Sequence, residues 1–171
     1  MSDIRRRLIG AALAATVFVA DQASKVWAIG LLDAPERPVI PVTPFLSLTM
    51  SWNRGIAYTL LRSDSDFGRF ALAGLALAMV GLLGFWAWRS TDWLKTCGLA
   101  AIIGGALGNA LDRLVHGAVA DFLYFHTPFS LGPLSNYVFN LADAAIFAGV
   151  VLLIYESFAS PDPTPDPTVG P

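Results

Sequence analysis

Four long apolar stretches alternate with shorter polar segments along the chain, and each approaches the roughly 20 residues that a helix needs to cross a bilayer. They cover residues 8–32, 70–88, 96–115 and 137–155. The first is interrupted by polar residues, the second carries no charge, and the third has the small-residue spacing that lets helices approach closely. The pattern predicts a membrane protein of the all-α class, a bundle of four transmembrane helices.

The rest of the chain falls into two parts of different composition. Residues 33–69 are punctuated by proline and rich in β-branched and aromatic residues, which predicts a small extracytoplasmic (periplasmic) β element between the first two helices. Residues 159–171 repeat proline every second or third position, so we expect a disordered cytoplasmic tail. Residues 1–158 are then expected to form a single transmembrane domain.

Composition narrows the function classes. The chain is 55% hydrophobic and only 14% charged, whereas charged residues make up about 25% of a soluble domain. A net charge of −2 argues against nucleic-acid binding, which requires a clustered basic face. Cys97 is the only cysteine, which excludes an internal disulfide. His116 and His126 are too few for a zinc site, and we expect no metal or cofactor.

Basic residues at the helix ends predict the orientation. The arginines at residues 5–7 and the pair Arg89 and Lys95 place the N-terminus and the second connection in the cytoplasm, so both termini are cytoplasmic. An alternative is that the first 20 residues form a cleaved signal peptide. Phe18 would then stand where a small residue is required, so we expect the segment to be retained.

Polar side chains within the predicted helices gather at one depth. Asp21 lies roughly 20 Å from the cytoplasmic start of the first helix. The third and fourth helices contribute polar residues near their outer ends, and Asp121 follows the third helix within a few residues. This layer comprises Asp21, Lys25, Asp112, Arg113, Asp121, Asn140 and Asp143. Because intramembrane ionisable groups are costly unless paired or facing a wet cavity, their shared depth indicates a site in the outer half of the bilayer.

Some of these residues pair locally. Asp21 with Lys25, and Asn109 with Arg113, are four residues apart and share a helix face. For Asp21 and Lys25 we favour a structural interpretation, a polar pair that fixes helix packing.

Asp121 and Asp143 differ because neither has a basic residue at helical spacing. Two carboxyl groups that share a site hold one proton between them and can act as acid and base together. Spacing alone leaves open that the two are unrelated structural carboxylates.

Several sequence blocks match a known family in order and spacing. They are DQASK at 21–25, NRGIAYTL at 53–60, GGALGNALDRLVHGAVADF at 104–122 and FNLADAAI at 139–146. Through them the chain resembles the bacterial lipoprotein signal peptidases, signal peptidase II, from the first helix to the fourth. The blocks depart from the family pattern only in variable slots: Arg54, Ile56, Tyr58 and Thr59.

The resemblance implies an aspartic endopeptidase of the bacterial inner membrane. It would cut prolipoproteins before the diacylglyceryl-modified lipobox cysteine, with its active site toward the outer face and with no cofactor or obligatory protein partner. Substrate and membrane lipid would be its partners. It makes Asp121 and Asp143 the catalytic residues. Supporting roles fall on Asn53, Gly55, Asn109, Asp112, Arg113 and Asn140, beside the pair Asp21 and Lys25.

Two other functions remain alternatives. Intramembrane carboxylates also mark ion pathways, so a small transporter or proton channel is possible, although no inverted repeat is visible. A protease with Lys25 activating a serine is the other alternative. Ser24 is adjacent in sequence and points elsewhere on a helix, while Ser47, Ser51 and Ser135 lie in predicted loops.

Overall fold

The computed structural model describes most of the chain, namely residues 2–34, 36, 38–55, 66–127, 129 and 136–159. Residues 56–60 of the NRGIAYTL block and residues 160–171 of the predicted tail lie outside the described residues. The expectation of a disordered tail therefore stays a prediction beyond Ala159, which ends a helix.

Four helices dominate the structure: α1 Asp3–Leu32, α2 Asp66–Arg89, α3 Trp93–His116 and α4 Leu141–Ala159. All four are long and apolar enough to cross a membrane. α3 packs against each of the other helices, whereas α1 and α2 barely touch one another. Because α3 is central, half of its most apolar 18-residue stretch is buried, whereas 17% or less of the corresponding stretch is buried in each of the other helices.

Close approach to α3 depends on neighbouring glycines that face different helices. A Cβ on Gly104 would lie 2.5 Å from the Ala14 carbonyl oxygen of α1, and one on Gly105 would lie 2.5 Å from the Ala142 carbonyl oxygen of α4. Both contacts are with backbone and cannot yield easily. These two adjacent glycines thus set the distance between α3 and α1 and the distance between α3 and α4.

A four-stranded antiparallel sheet lies between the helices in sequence, with strand order β1-β2-β3-β4. Its strands are β1 Ile40–Thr43, β2 Leu46–Asn53, β3 Val119–His126 and β4 Asn136–Phe139. The β element predicted between the first two helices is present as β1 and β2. The sheet is larger than predicted, because the connection between α3 and α4 supplies β3 and β4. These two strands are rich in β-branched and aromatic residues, and β3 pairs with β2.

The fourth span begins later than hydropathy indicated. We expected it at residues 137–155, but Tyr137 lies in β4 and α4 begins at Leu141. Strand residues there are apolar because they pack on the sheet, so a hydropathy average cannot separate them from the helix that follows.

The two ends of the bundle are distinct. At one end an Arg6 Nη donates to the Ser90 carbonyl oxygen at 2.7 Å, and Lys95 Nζ lies 3.1 Å from a Glu156 oxygen. The beginning of α1 and the end of α4 therefore lie together. At the opposite end the sheet packs on α1 through a cluster formed by Ala28, Leu32, Met50, Ala120 and Phe122.

Candidate active site

The start of α4 is a reciprocal cap. Asn140 Oδ1 accepts a hydrogen bond from the Asp143 backbone N–H at 3.0 Å, and Asp143 Oδ2 accepts one from the Asn140 backbone N–H at 3.3 Å. This is the capping-box arrangement, in which the residue before the helix and the third helical residue satisfy each other's backbone donors. Asp143 can therefore lie in the first turn of an otherwise apolar helix, because one of its carboxylate oxygens takes part in the cap. The other oxygen, Oδ1, is available to side chains of other elements.

The second oxygen of Asp143 is held by α3. Asn109 Nδ2 donates to Asp143 Oδ1 at 2.9 Å, while Asn109 Oδ1 accepts from Lys25 Nζ at 2.9 Å and from Asn140 Nδ2 at 3.2 Å. Because two donors occupy its oxygen, the Asn109 amide must point its nitrogen at the carboxyl group. The position of Asp143 is thus fixed by two helices.

Strand β3 brings Asp121 to the same place. In the sheet Asp121 pairs with Ser51, and Asn53 lies two residues further along β2 on the same face. Asn53 Nδ2 donates to Asp121 Oδ2 at 3.0 Å, and Asn140 Nδ2 donates to Asp121 Oδ1 at 2.6 Å. Asn140 therefore contacts both aspartates that the sequence singled out.

Beneath this pair lies a fully buried ion network. Lys25 is 2% exposed, and its Nζ lies 2.8 Å from Asp21 Oδ2 and 3.0 Å from Asp112 Oδ2, besides its bond to Asn109. All three ammonium protons have acceptors, as a buried lysine requires. No serine hydroxyl among the described residues contacts Lys25, and Ser24 Oγ donates to the Asp21 carbonyl oxygen instead. Ser47 and Ser51, which were expected in loops, lie in strand β2, and Ser135 lies outside the described residues.

The network also fixes the neighbouring backbone. Asp21 Oδ1 accepts from the Ala142 backbone N–H at 2.9 Å, which is a free donor of the first turn of α4. Asp112 Oδ2 accepts from the Ala120 N–H at 3.0 Å, next to Asp121 in β3. Asp21 and Asp112 thus anchor the two segments that carry the aspartate pair.

Arg113 and Gly55 lie at the edge of the same cluster. Arg113 donates to the Gly55 carbonyl oxygen at 2.9 Å and to that of Asn109 at 3.1 Å. The Gly55 N–H in turn donates to Asn53 Oδ1 at 3.0 Å. All ten site residues predicted from the sequence therefore lie in one connected cluster.

Two residues of this region were missed. Gln22 Nε2 donates to both Asp21 and Asp112 at 3.1 Å. Arg69 of α2 donates to the carbonyl oxygens of Arg113, at 2.7 Å, and of Leu114 at the end of α3. Gln22 could have been read as part of the polar layer, but Arg69 lies too far along the chain for any local pattern to reveal.

Burial makes Asp121 a weaker acid than an ordinary aspartate. The side chain is 3% exposed, and its burial, with a smaller effect from the negative charge of Asp143, raises the pKa of Asp121 from 3.8 to about 7. Hydrogen bonds from Asn53 and Asn140 act in the opposite direction. A carboxyl group with a pKa near neutrality is available both as an acid and as a base.

The family model for signal peptidase (SPase) II matches residues 13–159 of this chain, a range that contains the whole cluster. The chain belongs to the signal peptidase II family. A protein named lipoprotein signal peptidase from Methylocella silvestris is 51% identical over 154 residues, covering 90% of this chain and 88% of that one. Another of that name from Beijerinckia indica is 47% identical over 163 residues, covering 94% and 95%.

Solved structures agree on the fold. A bacterial membrane enzyme determined by the in meso method at 2.3 Å resolution superimposes with a TM-score of 0.73 at 22% identity, covering 92% of this chain and 94% of that one. The predicted four-helix membrane fold is confirmed. Family membership makes the chain a peptidase of the bacterial membrane and gives no support to the transporter alternative.

Proposed function

We propose that the chain is an aspartic endopeptidase that removes the signal peptide from prolipoproteins, with Asp121 and Asp143 as its catalytic pair. The observation that carries this is Asn140, whose side-chain amide donates to the Asp121 carboxyl group and whose backbone N–H donates to that of Asp143. Two carboxyl groups in one buried cluster titrate as a unit and hold one proton between them near neutral pH. The names of its relatives support lipoprotein precursors as the substrate class.

The reaction needs nothing beyond the pair and water. The ionised carboxylate takes a proton from water as its oxygen attacks the scissile carbonyl carbon, while the protonated carboxyl group hydrogen-bonds to the carbonyl oxygen. The tetrahedral intermediate then collapses, the C–N bond breaks, and the leaving nitrogen takes a proton from the pair. Because the two carboxyl groups titrate together, the shared proton belongs to the pair.

The location of the cluster fits such a substrate. The cluster lies at the sheet end of the bundle, opposite the basic residues 5–7. By the positive-inside rule that end faces away from the cytoplasm, and both described ends of the chain face the cytoplasm. A signal helix in the membrane would present its cleavage site at this outer level, before a cysteine whose diacylglyceryl group remains in the bilayer.

The test is a cleavage assay in detergent or nanodiscs with a diacylglyceryl-modified prolipoprotein and its unmodified form. We expect the wild type to cut the modified form, and Asp121→Asn and Asp143→Asn to lose more than about 10³-fold in turnover while remaining folded. Asp3→Asn, an exposed acid at the other end, is the matched control. Appreciable turnover by either site variant would contradict the aspartic mechanism, and equal cleavage of both substrate forms would contradict the lipid requirement.

A further inference from the structure

A cavity lies away from the aspartate pair, between α1 and α2. Because both helices pack on α3 but hardly on each other, they leave a cleft of about 490 Å³. That volume is typical of ligand pockets. Its walls are apolar, with Ala15 and Phe18 on α1, Ala87 on α2, and Ala100 and Leu107 on α3.

The length of the cleft matches one bilayer leaflet. Along α3 it runs from Thr96 to Leu107, which is about 16 Å at the helical rise per residue. The hydrocarbon core is about 30 Å thick, so the cleft spans close to half of it. It therefore has the length and polarity required by a lipid acyl chain.

One end of the cleft carries a fixed positive charge. Arg7 Nε donates to the Trp88 carbonyl oxygen at 3.2 Å, and the guanidinium carbon lies 4.0 Å from the centre of the Trp88 ring. Among the described residues that line the cleft, Arg7 is the only charged one. Its two Nη groups donate to no described residue, so the outer edge of the guanidinium is free to bind an anion.

We propose that this cleft binds an anionic phospholipid, with the phosphate on Arg7 and one acyl chain along the apolar walls. A guanidinium edge matches phosphate oxygens in geometry and charge, and basic pockets between transmembrane helices on the cytoplasmic side are suited to anionic head groups. The signal helix of a substrate fits less well, because its basic N-terminal region would meet Arg7 and its basic neighbours.

Native mass spectrometry of the full chain released from detergent tests the proposal, with phosphatidylglycerol and phosphatidylcholine as probes. We expect one tightly retained phosphatidylglycerol per chain and a clear preference over phosphatidylcholine. Arg7→Gln should weaken phosphatidylglycerol binding about fivefold and remove the preference. Arg5→Gln, which removes an exposed charge of the same basic run, should leave both unchanged.

A second pair of variants tests the cleft itself. Ala15→Phe fills it, whereas Ala12→Phe places the same ring on an exposed position of α1 that is not part of the lining. We expect only Ala15→Phe to lose the retained lipid. Equal retention of both lipids, or equal losses within either pair of variants, would overturn the proposal. Displacement of phosphatidylglycerol by a diacylglyceryl-modified peptide would also overturn it and would assign the cleft to the substrate.

Discussion

Both ends of the bundle bury charged or strongly polar groups, but they balance them differently. At the end that holds the beginning of α1, Arg6 binds the Ser90 carbonyl oxygen, and Lys95 pairs with Glu156. Asp92 caps α3 by accepting from the Lys95 backbone N–H at 2.8 Å. Arg6, Lys95 and Asp92 thus each have a partner that holds one segment to another, as structural pairs do.

The sheet end has an excess of negative charge. Among the described residues of its cluster, Asp21 and Asp112 form ion pairs with Lys25, whereas the carboxyl groups of Asp121 and Asp143 are held by asparagine side chains. Two carboxyl groups are thus left without a cation of their own, and a shared proton lowers the cost of burying them together. Buried charge alone therefore does not distinguish the candidate site from the other end of the bundle. A buried pair of carboxyl groups without a cation of its own does.

The largest difference between the two ends should appear when their lysines are removed. Lys25→Met leaves Asp21 and Asp112 as uncompensated buried charges, so we expect a loss of about 3–5 kcal/mol in the free energy of unfolding. Lys95→Met breaks a partly exposed pair and should cost about 1 kcal/mol or less. Denaturation in detergent measures both, and equal losses would remove the distinction between the ends.

The titration of Asp121 is the next largest effect. Its pKa is about 7 in the folded chain against an ordinary 3.8, so the folded chain keeps a proton that the unfolded chain loses. Asp121 therefore contributes stability that is present at acidic pH and is lost as the pH rises to about 7, a change of a few kcal/mol.

Asp121→Asn removes this titration. We expect the Tm difference between Asp121→Asn and the wild type to move in favour of the variant as pH rises through this window. Thermal unfolding at stepped pH values measures the difference. The control is Ser90→Ala at the other end, which removes no titratable group. A difference for Asp121→Asn that stays constant with pH would show that the carboxyl group is ionised throughout.

Two helix caps offer a matched comparison of smaller size. Asn140→Ala and Asp92→Ala each remove a cap, at a cost of about 1 kcal/mol of stability. Only the Asn140 side chain also donates to a carboxyl group of the aspartate pair, that of Asp121. Its loss should therefore reduce kcat about 10- to 100-fold, the value of a hydrogen bond to a charged group. Measuring both Tm and kcat for each variant separates the loss of stability from the loss of catalysis. A wild-type kcat in Asn140→Ala would contradict a positioning role for Asn140.

Arg69 should give the smallest effect. Its guanidinium binds the last carbonyl oxygens of α3, where a cation also complements the helix dipole. Arg69→Ala should cost about 1 kcal/mol and lower kcat a few-fold by loosening the helix end that carries Asp112 and Arg113. Arg89→Ala, at the end of α2, should leave kcat unchanged. Similar kcat values for the two variants would show that Arg69 has no part in the site.

Local patterns account for much of the architecture. Hydropathy located all four helices because a bilayer-spanning segment must be apolar over its whole length. It misplaced the start of α4, since Tyr137 belongs to a strand with the same polarity. Asn140 followed three residues later by Asp143 is itself a capping pattern, so the true boundary was present in the sequence.

By itself the sequence predicted the four helices and, through its resemblance to a family, the residues that the structure brings into one cluster. Tertiary structure decided how those residues meet. Asp121 reaches the cluster through pairing between β2 and β3, and Asp21 holds the α4 N-terminus across 121 positions of the chain. Such contacts depend on strand register and helix packing, which follow from the fold as a whole rather than from any local pattern.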